Sequence, residues 1–351
     1  MKLVYAVEKE GFNHANRVGV RKKVHSMMRF FALNGISPTL CEFVWERGFP
    51  TININDDTDI LYFRRLEPSI KLFLKLYNLK RIKKIKIVME IPTYPFEGEG
   101  RVLQSRIKRW SKWIGEKLLR FAIDRIVIVG SGEVIKSIYS IPVIHANNGI
   151  FFDEISVSTK EIEKGSLNLI AVSSCFFWHG YDRLIKGLED YYKSSYKKEI
   201  NFHVVGAGDC LEKYKAMAEQ ADLLNKHIFF YGNLEGNELD NVYDMADMAI
   251  DCLACHRKKV SYVSALKVRE YAAKGLPFAT ANKVDVYNDD TKEYILELPA
   301  DETNINIYNI IEFYEKLDSK EGDLHQMIRE AFRPYCEWDT AYVDVIKYLI
   351  S

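Results

Sequence analysis

Short apolar runs alternate with amphipathic stretches along almost the whole chain. The run at 3–7 (LVYAV) is apolar at every position, as a strand covered on both faces is. A loop at 8–18 follows. Then GVRKKVHSMMRFFALNG sets Val20, Val24, Met27, Met28 and Phe31 on one helical face and stops at Gly35. Further strands are expected at 37–43, 59–63 and 85–91, the last running into the proline-bearing loop IPTYPFEGEGR. A helix at 104–121, a strand at 124–129, a short helix at 132–139 and a strand at 142–145 complete a first series.

Residues 153–166 (DEISVSTKEIEKGS) hold few large apolar side chains and read as a linker. Beyond it, strands at 167–172, 201–205, 227–231, 248–253 and 277–280 alternate with helices at 180–192, 210–221, 234–245 and 264–274. The chain closes with helices at 305–317, 324–332 and 340–350. Strands alternating with helices argue for a parallel sheet covered on both faces. Two such series predict an α/β chain of two Rossmann-like, doubly wound domains. We place them at 1–152 and 153–335, with 336–351 as a final helix. Ligands of such sheets bind outside the carboxyl ends of the strands, and with two domains the cleft between them is the default site.

The length, 351 residues, agrees with two domains. At 48% hydrophobic and 28% charged, the composition is that of a folded globular chain and excludes disordered and collagen-like classes. The formal net charge is zero, which disfavours nucleic acid as a partner. That zero conceals a split. Residues 1–150 carry 26 Lys+Arg and 14 Asp+Glu, and residues 151–351 carry 23 and 35, so the halves net +12 and −12. The opening apolar run stops at Glu8, too short for a signal-peptide core, and no run of about 18 apolar residues occurs. The six cysteines are scattered, unlike a disulfide framework. A cytoplasmic protein is expected.

Several short segments bear on chemistry. Cys252-Leu-Ala-Cys255-His256 matches the string for covalent haem attachment. That chemistry goes with export, and no second ligand pair for zinc stands out, so ordinary reduced cysteines are expected. Gly206 and Gly208 lie between a strand and a helix, where glycines let backbone N–H groups approach a phosphate. The alternative is a tight structural turn. Arg17-Val-Gly19-Val-Arg-Lys-Lys opens the first helix. A cationic first turn runs against the helix dipole, which a bound anion would account for; a solvated basic turn is the alternative. In Ser264-Ala-Leu266-Lys267-Val-Arg-Glu270-Tyr, Lys267 and Glu270 share a helix face. The lysine suits a diphosphate, and the glutamate can accept two hydrogen bonds from a ribose diol. A surface ion pair worth ~0.3–0.5 kcal/mol is the plain alternative. His179 and Gly180 stand at a helix N-terminus, either as an anion position or as a capped helix start. Finally, RVLQSRIKRWSKWIGEKLLR at 101–120 holds seven basic residues and one acidic. Leu103, Ile107, Trp110, Trp113, Ile114 and Lys117 follow helical spacing in it. It is either a face for an anionic membrane surface or a core helix with a solvated basic side.

Taken in order, these segments resemble the retaining GT-B glycosyltransferases of the family 4 type, the glycosyl transferases group 1. The resemblance covers nearly the whole length. It rests on Gly19-Val-Arg-Lys-Lys, His145-Ala-Asn-Asn148-Gly149-Ile, Phe177-Trp-His-Gly180-Tyr-Asp-Arg-Leu-Ile, Val204-Val-Gly206-Ala-Gly208, Ser264-Ala-Leu-Lys267-Val-Arg269-Glu270-Tyr and Gly275-Leu-Pro277. It implies two Rossmann-like domains facing across a cleft, with the last helix crossing back onto the first. It implies a nucleotide-sugar donor on the second domain and a glycan or lipid-linked saccharide acceptor on the first. Transfer with retention, in bacterial surface polysaccharide synthesis and without metal or other cofactor, is the activity it implies. By the same resemblance Lys267, Glu270 and His179 are catalytic. Lys267 faces the diphosphate and Glu270 the ribose hydroxyls. Gly19, Gly180, Gly206, Gly208, Ser264 and Leu266 line the donor site, and Glu90, Thr93 and Tyr94 stand on the acceptor side.

Three positions depart from the family pattern. Its two glutamates, eight positions apart, are here Tyr262 and Glu270. Its Arg and Lys flanking the second domain's first loop are replaced by Ser173 or Ser174 and His179. Its cleft histidine in the first domain has no match, and the loop Glu90-Ile-Pro-Thr93-Tyr94-Pro stands there instead. Tyr262 favours one alternative, a non-catalytic nucleotide-sugar-binding GT-B protein; another GT-B nucleotide-sugar enzyme is the other alternative. Peripheral attachment at the inner face of the membrane is the expected location.

Overall fold

The structure is a computed structural model and describes residues 1–14, 18–94, 106–158, 165–195 and 198–351. The chain divides into two compact units, Met1–Gly149 with Trp338–Ser351, and Ile150–Glu337.

In the first unit, seven strands run in the order Ser37–Phe43, Lys2–Glu8, Ile60–Arg64, Lys86–Ile91, Arg125–Val129, Ile141–Ala146 and Ser137–Ile138. All neighbours pair in parallel except the last, which is antiparallel. Leu3 stands opposite Pro38 on one side and Ile60 on the other. A proline, with no N–H to give, is tolerated there because Ser37–Phe43 is the edge strand. The central strands are buried on both faces, as their unbroken apolar runs require.

Helices Val18–Leu33, Ile70–Lys83 and Arg106–Leu118 belong to this unit, with the short helix Lys9–Asn13 inside the expected loop at 8–18. Residues 15–17 of that loop, with Arg17, lie outside the described residues, as do 95–101 of the proline-bearing loop and 104–105 of the expected helix. Helix Ile70–Lys83 has no counterpart in the sequence reading. Ser69 starts it by accepting the Leu72 N–H at 3.1 Å, and Lys84 ends it in the left-handed region. The helix expected at 132–139 does not form. Tyr139 and Ser140 both take positive φ, 52° and 60°, and turn Ser137–Ile138 back onto Ile141–Ala146 as a tight hairpin.

The C-terminal helices, Trp338–Ala341 and Val343–Ile350, close this first unit. Trp338 stacks on Phe30 and donates its indole N–H to Ser26 Oγ at 2.7 Å. Below it lies a buried charge pair, Lys23 Nζ to Glu90 Oε1 at 2.8 Å. The other Glu90 oxygen accepts the hydroxyls of Tyr62 at 3.0 Å and Tyr342 at 2.9 Å. Burial alone would raise the Glu90 carboxyl. Lys23, Arg64 and the Tyr342 hydroxyl outweigh it and hold the pKa below the usual glutamate value.

The second unit is a six-stranded parallel sheet in the order Ile228–Gly232, Glu199–Val205, Ser166–Val172, Met248–Ile250, Phe278–Thr280 and Ile295–Glu297. Counted along the unit this is 3-2-1-4-5-6, the doubly wound order with its reversal between the first and fourth strands. Helices Tyr181–Lys193, Leu211–Gln220, Asn237–Tyr243, Leu266–Lys274, Ile307–Asp318 and Leu324–Cys336 complete it. The three-residue edge strand Ile295–Glu297 was not anticipated, and the strand expected at 248–253 stops at Ile250. Of the expected linker, residues 159–164 lie outside the described residues. Phe152, just before it, is buried.

Replacing Glu90 by Gln removes the buried carboxylate charge that faces the Lys23 ammonium. We expect Glu90→Gln to destabilise the first unit by about 3–5 kcal/mol in urea unfolding at neutral pH. The folded pKa lies below the unfolded value of about 4.3. The carboxylate's contribution is therefore complete above about pH 4.3 and is lost as pH falls through the folded pKa. The difference between wild type and Glu90→Gln should shrink over that acid range.

Candidate functional site

The reversal of strand order in the second unit leaves a crevice where Ser166–Val172 and Met248–Ile250 end. Their ladder stops at the pair Ile170 and Ala249. Beyond it the Tyr271 hydroxyl bridges the two strands, accepting the Val172 N–H at 3.0 Å and donating to the Ile250 carbonyl at 3.2 Å. Two helices begin at this edge, Tyr181–Lys193 and Leu266–Lys274. Neither N-cap residue, Gly180 or Ala265, has a side chain that could cap its helix. Their first N–H groups therefore retain hydrogen-bonding capacity toward an anion.

Lys267 stands in the first turn of Leu266–Lys274. Its ammonium lies 3.1 Å from Asp251 Oδ1, and Asp251 is wholly buried. The ion pair is close but not aligned as a hydrogen bond: among the described residues, neither Lys267 Nζ nor Asp251 Oδ1 makes one. The other Asp251 oxygen accepts the Thr280 hydroxyl at 3.0 Å. Burial works against the Lys267 charge, but Cys252, Tyr181 and Asp251 around it prevail and hold its pKa above the usual lysine value. Glu270 follows on the same helix, half-buried, and accepts the Tyr243 hydroxyl at 3.4 Å. Ser264 and Leu266 stand at the start of this helix, half-buried.

The remaining residues expected here take other parts. His179 is buried, and its Nδ1 accepts the backbone N–H of Phe176 at 2.9 Å, closing a turn. The loop of Gly206 and Gly208 lies against the loop after the first strand. A Cβ on either would overlap the carbonyl oxygen of Ser173 or Ser174, and Gly206 also has φ 126°. Gly180, at φ 69°, has no room for a Cβ, which would stand 2.7 Å from Ala254 Cβ. These three glycines are thus required by backbone packing at the edge of the crevice. Cys252 and Cys255 are buried in one small cluster with Val260, and all six cysteines are free thiols.

The first unit has its own cavity, of about 240 Å³, where Lys2–Glu8, Ser37–Phe43, Ile60–Arg64 and Lys86–Ile91 end. Thr93 lines it together with Glu8, Phe12, Arg64 and Arg65. Gly19, in the first turn of Val18–Leu33, is exposed with open space where a Cβ would stand, and its neighbour Val20 lines the cavity. Tyr94 packs on the sheet's core. Glu90, expected on the acceptor side, faces inward, and its carboxylate is consumed by Lys23, Tyr62 and Tyr342. Sequence reasoning missed Asp251, Tyr271 and Arg64. Arg64 had a signal, a charge directly after the strand expected at 59–63, whereas Asp251 stood inside the strand expected at 248–253.

Residues 153–295 match the family model described as Glycosyl transferases group 1. No curated protein matches the chain by sequence. Solved structures similar over the whole length include a glycosyltransferase from Rickettsia africae, with TM-score 0.68, 13% identity and coverage of 100% of this chain and 98% of that one. Anabaena HepE in complex with UDP gives 0.65, 10% and 100% of both chains. The lipopolysaccharide outer core galactosyltransferase WaaB gives 0.60, 11%, and 100% and 99%. At such identities the likeness is one of fold. The chain has the GT-B fold, and the stretch similar to the glycosyl transferases group 1 model lies within its second unit.

The Tyr271 hydroxyl holds two otherwise orphaned backbone groups at the crevice. Tyr271→Phe should keep the ring packing but destabilise the second unit by about 1–3 kcal/mol, the cost of stranding buried polar groups. Chemical unfolding compared with wild type measures it.

Proposed function

We propose that this protein is a glycosyltransferase that moves a sugar from a nucleotide-sugar donor to a glycan or lipid-linked saccharide, with retention, in surface polysaccharide synthesis at a membrane face. The observation that carries the reading is the anion-attracting edge of the second unit. Two helix N-termini without side-chain caps begin on the two strands flanking the strand-order reversal, and the Lys267 ammonium sits in the first turn of one of them. When the bond from the anomeric carbon to the diphosphate breaks, negative charge builds on the departing phosphate. Helix dipoles and a positioned ammonium stabilise that charge as it forms. Glu270, one turn beyond Lys267, suits the ribose hydroxyls. The chain's own groups supply the positive field, and no metal is assigned to the step. That HepE, of like fold, was solved with UDP makes a uridine diphosphate sugar the first donor to try.

Tyr262 favours a second reading, nucleotide-sugar binding without transfer. It pairs with Lys283 in a two-residue strand and offers no carboxylate to the donor sugar. Hydrolysis of the donor in the absence of acceptor separates the two: a transferase releases free sugar slowly, whereas a binder releases none.

Screening UDP, GDP, ADP and CMP derivatives by thermal shift should yield one nucleotide class that stabilises by about 2.7 kcal/mol at ~100 times its dissociation constant. Glu270→Ala should remain folded and lose about 1.5–3 kcal/mol of that nucleotide's binding energy by calorimetry, roughly a ten- to hundredfold weakening. Unchanged affinity would remove Glu270 from the site.

Turnover should also survive EDTA, because Lys267 and the helix termini carry the charge. Complete loss of turnover, restored by manganese or magnesium, would sink that part of the mechanism.

A further inference from the structure

Helix Arg106–Leu118 is packed the wrong way round for a core helix. Its only buried residue is Gly115, which lies so close to the start of Ile70–Lys83 that a Cβ would stand 2.6 Å from the Ser69 nitrogen. Ser111 also faces that neighbour, its hydroxyl oxygen accepting the Ile70 N–H at 3.3 Å, and Lys112 pairs with Glu67 at 2.9 Å. The small and polar side is therefore turned to the protein. The apolar side is turned out: Ile107 is 82% exposed, Trp110 66% and Trp113 53%. These residues recur every third position and form one face. An amphipathic helix of a water-soluble surface does the reverse, burying such a stripe. Leu74 and Tyr77 of the adjoining helix and Phe121 just beyond are also exposed, so large apolar side chains are concentrated in this part of the unit.

Cations surround that face. Arg106, Lys108, Arg109, Lys112, Lys117 and Arg120 stand in 106–120 against a single acid, Glu116. The Lys117 ammonium lies 3.9 Å from the centre of the Trp113 ring, and the Arg120 guanidinium 4.8 Å from that of Phe121. Two tryptophans with a basic rim suit the boundary of a bilayer, where indole rings settle among headgroups and cations meet anionic lipid. The same charge argues against a second copy as the occupant. Residues 1–150 net +12, and two such faces pressed together would repel. At thirteen residues the helix is about 20 Å long, and no helix among the described residues is long and apolar enough to cross a membrane.

We propose that Arg106–Leu118 is a docking face for an anionic lipid surface, lying in its plane with Ile107, Trp110 and Trp113 among the headgroups. This deepens the reading of a membrane-bound acceptor by assigning the residues that would meet the membrane. Its evidence is independent of the nucleotide site.

The test is co-sedimentation of the full chain with vesicles of about 30% phosphatidylglycerol in phosphatidylcholine, beside vesicles of phosphatidylcholine alone. Wild type should bind the anionic vesicles at low salt and leave them near 0.5 M salt, where the screening length falls to a few ångströms. It should bind the neutral vesicles at least tenfold more weakly. Trp110→Ser with Trp113→Ser, and separately Arg106→Glu with Arg109→Glu, should each lower the partition coefficient at least tenfold. All four side chains are exposed, so circular dichroism and the urea midpoint should stay those of wild type. The proposal is overturned if wild type remains in the supernatant at low salt, or if both variants bind like wild type. It is also overturned if the tryptophans prove to mediate self-association in ultracentrifugation without vesicle binding. Nucleotide affinity is read on the same preparations. Its absence alongside intact, tryptophan-dependent vesicle binding would count against the transferase reading and leave the docking face supported.

Discussion

One hydroxyl group organises the crevice of the second unit. Where a doubly wound sheet reverses its strand order, the chains leaving neighbouring strands turn to opposite faces and the ladder opens. Val172 then has an N–H, and Ile250 a carbonyl, with no strand partner. Tyr271 satisfies both through one oxygen. Because Tyr271 belongs to Leu266–Lys274, the same contact fixes that helix to the strand ends. Lys267, one turn earlier, is thereby brought to the crevice, where Asp251, the first residue past its strand, meets the ammonium. A sheet defect, a helix position and a cation are thus one arrangement.

The two units treat buried charge differently. In the first, Glu90 is fully engaged by Lys23 and two tyrosine hydroxyls, and nothing remains for a ligand. Such a pair holds structure, because removing one member leaves the other stranded. In the second, Lys267 and Asp251 are close in charge but unaligned, and hydrogen-bonding capacity is left over on both. Unspent capacity at a buried cation is uncommon in a settled core and is what an anionic group would take up.

The alternation of strands and helices was legible because burial on both faces forces unbroken apolar strands. Lys267 and Glu270 were legible as residues of one helix, but spacing does not reveal that Lys267 meets Asp251 and Glu270 meets Tyr243. Helix Ile70–Lys83 was not, since Leu74, Tyr77 and Ile82 are apolar yet face outward and blur the period. Glu90 was misjudged because its partner Tyr342 lies 252 positions away, beyond any local pattern. Gly206 and Gly208 lie between a strand and a helix as phosphate-binding glycines do, yet their lack of side chains, like that of Gly180, is already accounted for by close neighbours. His179 was placed correctly at a helix start, but spacing does not reveal that its ring folds back onto Phe176.

The first unit is interrupted in sequence, closing only with Trp338–Ser351. A ribosome therefore delivers the entire second unit before the first receives the indole that lies against Gly149 and the phenol that reaches Glu90. Domains generally mature in the order in which they emerge. Here the half made first is the half finished last. Throughout synthesis it waits as an open sheet with a charged group still short of its final hydrogen bond, and a chain terminated before Trp338 would carry one complete unit beside one unsealed one.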